Sequence, residues 1–267
     1  MKKSFMKFAT MFASAMFVLA ACEKSGNDDT DKGNGGLKNP EEGGETELPA
    51  SLSGSGYYVI SLGTDEYNLI SDKVVLDLMP YDIGGDATNP GIGLFVWEGT
   101  YTGGTPVGTN FYGYTSGWVS LVAGNAGWTG AAYNITQNAI ADRADLAKIT
   151  DIQKEIDKYY LHFAYKTEQR GVAQLITLNW NGASYVFAVG EGSSDQYNAQ
   201  GQFVKTHNAI APTSGAFVLG DWNEYEIPLV QTGLDYSTLV SDNYFQFSSG
   251  GTAGTTIDLD AIFFYKK

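Results

Sequence analysis

The chain has 267 residues, with 16 Lys and Arg against 30 Asp and Glu, which gives a formal net charge of −14. This acidity argues against binding to nucleic acid or to anionic lipid headgroups, since both rely on Lys and Arg contacts. One cysteine excludes disulfides within the chain and thiolate zinc sites, and two histidines leave little for a histidine metal cluster.

The first 21 residues predict a secretory leader. Met1–Lys7 is basic, and the apolar stretch Phe8–Ala21 is shorter than the roughly 20 residues that a membrane-spanning helix needs. The sequence Leu19-Ala20-Ala21 then leads directly into Cys22, the only cysteine. This pattern resembles the bacterial lipobox, which implies that residues 1–21 are a signal peptide and that Cys22 is lipidated. The alternative is an ordinary signal peptide followed by an incidental cysteine.

Residues 22–56 predict a disordered tether that is acidic and rich in glycine. Between Glu23 and Gly56 there are no aromatic residues and almost no large apolar ones. Such a segment cannot bury enough apolar area to offset the entropy lost on ordering. Its acidic residues resemble the export signal of Bacteroidetes surface lipoproteins. That resemblance implies a protein anchored by lipid in the outer membrane and facing the cell exterior.

Residues 57–267 predict a single all-β domain with one short helix. Asn181-Gly182 is the strongest hairpin signal, and Asp145–Asp157 carries apolar residues at helical spacing. Runs typical of strands recur between turn signals, at Tyr57–Leu62, Lys73–Leu78, Gly93–Trp97, Trp118–Val122, Ala131–Ile135, Tyr159–Lys166, Gln174–Trp180, Ser184–Val189, Trp222–Leu229, Tyr244–Ser248 and Thr256–Tyr265.

Alternation along the strands predicts which side chains face the core. In Tyr159–Lys166, Leu161 and Phe163 fall on one face, whereas Tyr160 and His162 fall on the other. In Phe245-Gln246-Phe247 the aromatic residues alternate with a polar one in the same way. We therefore expect one sheet to carry a polar outer face with interspersed aromatic residues.

Four segments in the second half carry a resemblance to a known fold. They are Lys158–Lys166, Gln174–Trp180, Asp221–Leu229 and Thr256–Phe264. Their order resembles the jelly-roll carbohydrate-binding modules of the galactose-binding-like superfold. This implies a jelly-roll β-sandwich that binds a poly- or oligosaccharide without catalysis.

The lipobox and tether add a second resemblance, to the accessory glycan-binding lipoproteins of Bacteroidetes Sus-type polysaccharide uptake systems. It implies association with an outer-membrane transporter complex. The acidity of the chain favours a neutral glycan as the ligand.

Sugar binding needs flat aromatic faces for the C–H surface of the ring and polar side chains for the hydroxyls. Four tryptophans lie at strand ends or in loops, where ligand groups are commonly displayed. For each of them the alternative is packing against the core, and a lone histidine is more often a satisfied structural residue. The predicted carbohydrate contacts are Trp97, Trp118, Trp128, Trp180, Tyr160 and His162.

The last predicted strand also carries two candidate metal ligands. Asp258 and Asp260 share one face there, and the resembling modules often hold a structural Ca²⁺ nearby. These two residues are therefore candidate calcium ligands. The alternative is that they form hydrogen bonds to a neighbouring loop.

Catalysis is not expected. The sequence has no GxSxG, HExxH or P-loop motif. Glu224 and Glu226 meet the spacing of about 5–9.5 Å that glycoside hydrolysis needs, but only by strand alternation, and we expect them to face solvent. Two alternatives to glycan binding stay open. One is a structural or adhesion module that contacts proteins, and the less favoured one is a glycoside hydrolase or lyase.

Overall fold

The computed structural model describes residues 48–83, 91–239 and 241–267. The predicted signal peptide, Cys22 and most of the predicted tether lie outside these residues. Among the described helices, none has the length and apolar character needed to cross a bilayer.

Fifteen strands are the main secondary structure of the described residues. They are β1 (Ser55–Ser61), β2 (Val74–Asp77), β3 (Asp82–Ile83), β4 (Ile92–Val96), β5 (Tyr101–Gly103), β6 (Val119–Ala123), β7 (Thr129–Ile135), β8 (Tyr159–Thr167), β9 (Ala173–Trp180), β10 (Ala183–Gly190), β11 (Ser193–Tyr197), β12 (Phe203–Asn208), β13 (Asn223–Pro228), β14 (Asp242–Ser249) and β15 (Thr256–Lys266). All eleven predicted strands are present, and β3, β5, β11 and β12 were not predicted.

Two sheets form the body of the domain. Sheet I has the order β13-β8-β15-β1-β2, and β6 joins it by pairing with β15 and with β5. Sheet II has the order β10-β9-β14-β7-β4-β3, while β11 and β12 form a separate hairpin. The chain crosses repeatedly from one sheet to the other, so the predicted jelly-roll β-sandwich is confirmed.

The main core lies between the sheets. Phe163 and Tyr225 of sheet I stack with ring centroids 5.1 Å apart, and Phe163 meets Phe245 of sheet II edge to face at 5.9 Å. Side chains at alternate positions of each strand point into this layer. The side chains of β8 that point into this core, Leu161 and Phe163 among them, are therefore the ones predicted to do so.

The predicted hairpin turn is also present. Trp180 pairs with Ala183, and the two residues between them, Asn181 and Gly182, have φ values of 50° and 76°. Positive φ at both central positions is the type I′ geometry, whose twist matches that of the flanking strands. Only asparagine, aspartate and glycine adopt it readily.

The helices differ in part from the prediction. The segment predicted as a helix over Asp145–Asp157 is a 3-10 helix, Ala144–Lys158, with a kink at Glu155. Two α-helices, α1 (Thr64–Ile70) and α2 (Gln137–Asp142), were missed because segments of about two turns or fewer carry almost no periodic signal. Short 3-10 helices also occur at Ala50–Leu52, Ser71–Lys73 and Leu229–Thr232.

The outer face of sheet I is largely covered, so the polar outer face predicted for one sheet is not found at β8. His162 and Ala164 of β8 are fully buried there. A second apolar cluster lies over this face, because β1 and β15 carry apolar side chains on both of their faces; it includes Leu52, Tyr57, Val59, Ile70, Tyr112, Phe263 and Tyr265. Alternation within β8 alone distinguishes inward from outward positions and does not reveal this layer.

Because of this cluster, the folded domain begins earlier in the sequence than predicted. Leu52 is fully buried within it, and β1 begins at Ser55. The described residues from Leu48 onward thus belong to the domain rather than to the predicted tether, whose boundary was placed at Gly56. Leu52 is one of the few large apolar residues of that segment, and its burial holds the segment against sheet I.

Candidate functional site

The outer face of sheet II is open. Its strands β4, β7, β14, β9 and β10 place polar, small and aromatic side chains outward, and no outward position in these five described strands is charged. These positions include Phe95, Gly130, Ala132, Asn134, Gln246, Ser248, Thr177, Asn179, Ser184 and Val186.

The strand register brings these side chains into rows. Phe95 is opposite Ala132, Ala132 is opposite Gln246, and Gln246 is opposite Thr177. In the next row Ser248 lies between Gly130 and Leu175. With about 4.8 Å between neighbouring strands, the distance from β4 to β9 is about 14 Å.

Trp97 and Trp128 lie side by side at one end of this face. Their ring centroids are 6.0 Å apart with the planes inclined at 51°, and Phe95 meets Trp97 edge to face at 5.3 Å. Trp128 is 45% exposed. Both tryptophans follow the outward alternation of β4 and β7, so two distant predicted residues are brought together.

Gly130 makes room for this pair. A Cβ atom at this position would lie 2.6 Å from Cζ3 of Trp128 and 2.9 Å from Cε3 of Trp97. The backbone N–H of Trp97 donates to the carbonyl of Gly130 at 3.2 Å, which continues the pairing of β4 and β7 beyond Val96. The two indoles therefore rest on the backbone of β7.

Polar side chains without partners lie beside the aromatic pair. Gln246 and Ser248 of β14 are half-buried, and within the described chain neither side chain forms a hydrogen bond. The hairpin of β11 and β12 bounds the far side, with β11 against β9 and β12 against β10. We call the space between the Trp97–Trp128 pair and this hairpin the groove.

Comparison with known proteins identifies no family: no family model matches the sequence, and no curated protein matches it. Among solved structures, it is similar to a family 30 carbohydrate-binding module of a cellulosomal cellulase from Clostridium thermocellum, with 17% identity over 67% of this chain and 88% of that one, at a TM-score of 0.35. A family 4 carbohydrate-binding module has 16% identity over 68% and 92% of the two chains, with a TM-score of 0.29.

An exo-β-agarase is a further similar structure, at 12% identity and a TM-score of 0.37. The match covers 65% of this chain but only 23% of the agarase. Identities this low are compatible with a shared fold only, and these likenesses carry no functional argument. The function has to be argued from the groove.

Two of the predicted tryptophans are not available to a ligand. Trp180 is 2% exposed in the main core, where its Nε1–H donates to the carbonyl of Thr238 at 2.9 Å and its ring packs on Tyr236. Trp118 is 7% exposed and meets Trp222 edge to face at 6.4 Å. For these two residues the core-packing alternative is the correct one, since a strand end can equally point inward.

His162 and Tyr160 lie on the outer face of sheet I, away from the groove. His162 stacks on Phe263 at 4.6 Å, and its Nδ1 and Nε2 lie 2.7 Å from the carbonyl of Ala261 and 2.9 Å from Oε1 of Glu224. Since a carbonyl only accepts, Nδ1 carries a proton. His162 is therefore corrected to a structural role, whereas Tyr160 lies half-buried beneath the ammonium of Lys267 on the side of the sandwich opposite the groove.

The predicted calcium ligands do not fit a cation. Oδ2 of Asp258 lies 3.2 Å from the ammonium of Lys166, and both oxygens of Asp260 accept backbone N–H groups, from Phe111 at 2.9 Å and from Ala261 at 2.7 Å. No group of three or more candidate metal ligands occurs among the described residues. The ammonium of Lys166 already balances the charge of Asp258, and Asp260 forms the predicted alternative bond to a loop.

Glu224 and Glu226 do not form a free carboxylate pair. Glu224 is engaged by His162, and Glu226 accepts from the hydroxyl of Tyr265 and the ammonium of Lys267. Both lie on the outer face of sheet I rather than in the groove. Their spacing follows from strand alternation, as the sequence indicates.

Four groove residues were not predicted: Phe95, Gly130, Gln246 and Ser248. The alternation in Phe245-Gln246-Phe247 marks Gln246 as outward, which was the available signal. Gly130 gives no signal alone, because its importance arises only where β7 lies beside Trp97.

Burial raises the pKa of Asp260 to about 7, well above its ordinary value. The folded protein therefore holds a proton between about pH 4 and 7 that the unfolded chain releases, so this contribution to stability is lost as the pH rises through 7. We predict that Asp260→Asn removes a decline of at most about 1.4 kcal/mol per pH unit in the free energy of unfolding. Urea titrations of both proteins from pH 5.5 to 7.5 measure it, and parallel profiles would contradict it.

Proposed function

We propose that the protein binds a neutral poly- or oligosaccharide in the groove, without catalysis. The observation that carries this proposal is the pairing of Trp97 and Trp128 on the open face of sheet II, where Gly130 makes room for them. Indole rings offer apolar faces to the C–H surface of a sugar ring, and binding removes both surfaces from water.

The polar side chains on the face of sheet II beside the tryptophans also support a neutral glycan as the ligand. The Gln246 amide donates and accepts hydrogen bonds, and the Ser248 hydroxyl does both. Sugar hydroxyls also donate and accept, so they can satisfy these half-buried groups. With no charged outward side chain in the five strands and a net charge of −14, the groove disfavours sulfated or uronate-rich chains.

The tryptophan pair provides the direct test. We predict that Trp97→Ala and Trp128→Ala each weaken glycan binding about five- to thirtyfold, as expected for loss of a stacking contact of about 1–2 kcal/mol. Calorimetry and affinity electrophoresis against neutral glycans, including extended and helical glucans, mannans, xylans and galactans, measure the effect.

Tyr160→Ala is the matched control, because Tyr160 is an aromatic residue on the opposite side of the sandwich, and it should bind as the wild type does. If no glycan is retained, or if the tryptophan variants bind normally, the proposal fails. In that case the better hypothesis is binding to a protein partner through Tyr197 and Phe203, an exposed aromatic pair at the hairpin tip.

Gly130→Ala tests the arrangement of the rings without removing either one. The new methyl group would overlap both indoles, so we expect them to separate and glycan affinity to fall about three- to tenfold. The overlapping atoms belong to side-chain ring edges, and the unfolding midpoint should change little. Unchanged affinity together with an unchanged Trp fluorescence spectrum would show that the pair does not rest on Gly130.

We also propose that the protein is anchored by lipid on Cys22 in the outer membrane, faces the cell exterior and works beside a glycan transporter. The lipobox-like sequence before Cys22 and the acidic stretch after it support this. We predict that Cys22→Ser abolishes incorporation of labelled palmitate and moves the protein out of the membrane fraction. Labelling equal to that of the wild type would contradict the anchor.

A further inference from the structure

The hairpin of β11 and β12 starts at the free edge of β10 and extends toward the outer face of sheet II. Ala209, just after β12, forms an isolated parallel bridge with Ala188 of β10, while β11 contacts β9, the next strand inward. A hairpin that continued the plane of the sheet would keep β11 away from β9. The outward side chains of Leu175 and Ala188 are buried beside Ala209 at its base.

The two faces of the hairpin differ in exposure. Ser194, Gln196 and His207 are half-buried on one face, which also carries the exposed Lys205 opposite Gln196. Asp195 and Thr206 on the other face are exposed. The half-buried face is the one turned toward sheet II, and at this end of the sheet the other boundary of the open face is the Trp97–Trp128 pair. Gln196 and His207 thus face the groove.

Gln196 and His207 form a polar pair with unused hydrogen-bonding groups. Nε2 of His207 lies 2.9 Å from Oε1 of Gln196; since this oxygen only accepts, Nε2 donates. No other described residue bonds to either side chain, which leaves Nδ1 of His207 as an acceptor and the amide N–H groups of Gln196 as donors. A pair of adjacent hydroxyls needs this combination of one acceptor and one donor.

We infer that Gln196 and His207 are specificity-determining residues of the groove, which bind a vicinal diol of the glycan opposite the tryptophan pair. The inference rests on the proposed function and adds the second wall of the site. The tryptophans contact the apolar face of a sugar and the hairpin selects its hydroxyl pattern. The neutral state of the imidazole is supported by burial and by Lys205 nearby, which lower the pKa of His207.

The experiment compares a neutral polysaccharide that binds the full-length protein with the partially O-methylated form of the same polymer. Methylation removes hydroxyl donors and adds bulk, so the wild type should bind the methylated form about tenfold more weakly. Gln196→Ala and His207→Ala should each weaken binding of the unmodified glycan by about five- to twentyfold. They should also bind both polymers with similar affinity, an effect that a purely structural role would not produce.

Asp195→Ala and Thr206→Ala are the matched controls, since this pair bonds at 2.6 Å on the outward face of the same hairpin. They should retain both the affinity and the discrimination of the wild type. The two inward variants are measured separately, so loss of folding in one, seen as a lowered thermal midpoint, leaves the other decisive. Inward variants that discriminate as the wild type does would overturn the hairpin assignment alone. Failure of the wild type to bind any glycan would overturn the proposed function and the assignment with it.

Discussion

Leu52, Tyr57 and Phe263 bury an apolar layer against the outer face of sheet I, and the location of any ligand site depends on this packing. A sandwich has two outer faces, and both begin as candidates. The segment before β1, α1 and the loop that contains Tyr112 cover much of one of them, so among the described residues the outer face of sheet II is the more open of the two. The layer also accounts for the buried polar groups of sheet I, since His162 and Asp260 are enclosed beneath it and must find partners within the protein.

The chemical character of the open face of sheet II depends on the bulky and charged side chains that its strands lack. Gly130 and Ala132 have little or no side chain, so the indoles of Trp97 and Trp128 can lie across β7 instead of standing away from the sheet. Acidic and basic side chains are absent from the outward positions of the five described strands. The floor of the groove is therefore uncharged within a protein of strong net negative charge, and the recognition that we propose relies there on apolar contact and neutral hydrogen bonds.

The strands and the Asn181-Gly182 turn could be predicted because both are determined locally, by alternation and by backbone conformation. The candidate site could be predicted only in part. Trp97 and Trp128 were identified, but so was Trp180, because sequence position at a strand end does not reveal whether the last side chain points in or out. His162 was misplaced because the layer that buries it includes Leu52, Tyr112 and Phe263, which lie 50 or more positions away in the sequence. The hairpin gave no signal, since β11 is almost entirely polar and buries no core of its own.

The inclination of the two indoles has a consequence for the shape of a bound polymer. Planes that meet at 51° cannot both lie flat against one straight ribbon of sugar rings. A backbone that turns from one unit to the next can offer a ring to each indole in succession, whereas a flat ribbon would leave one of them poorly covered. The aromatic pair would in this way select the helical pitch of a glycan, independently of which hydroxyl groups its sugars carry.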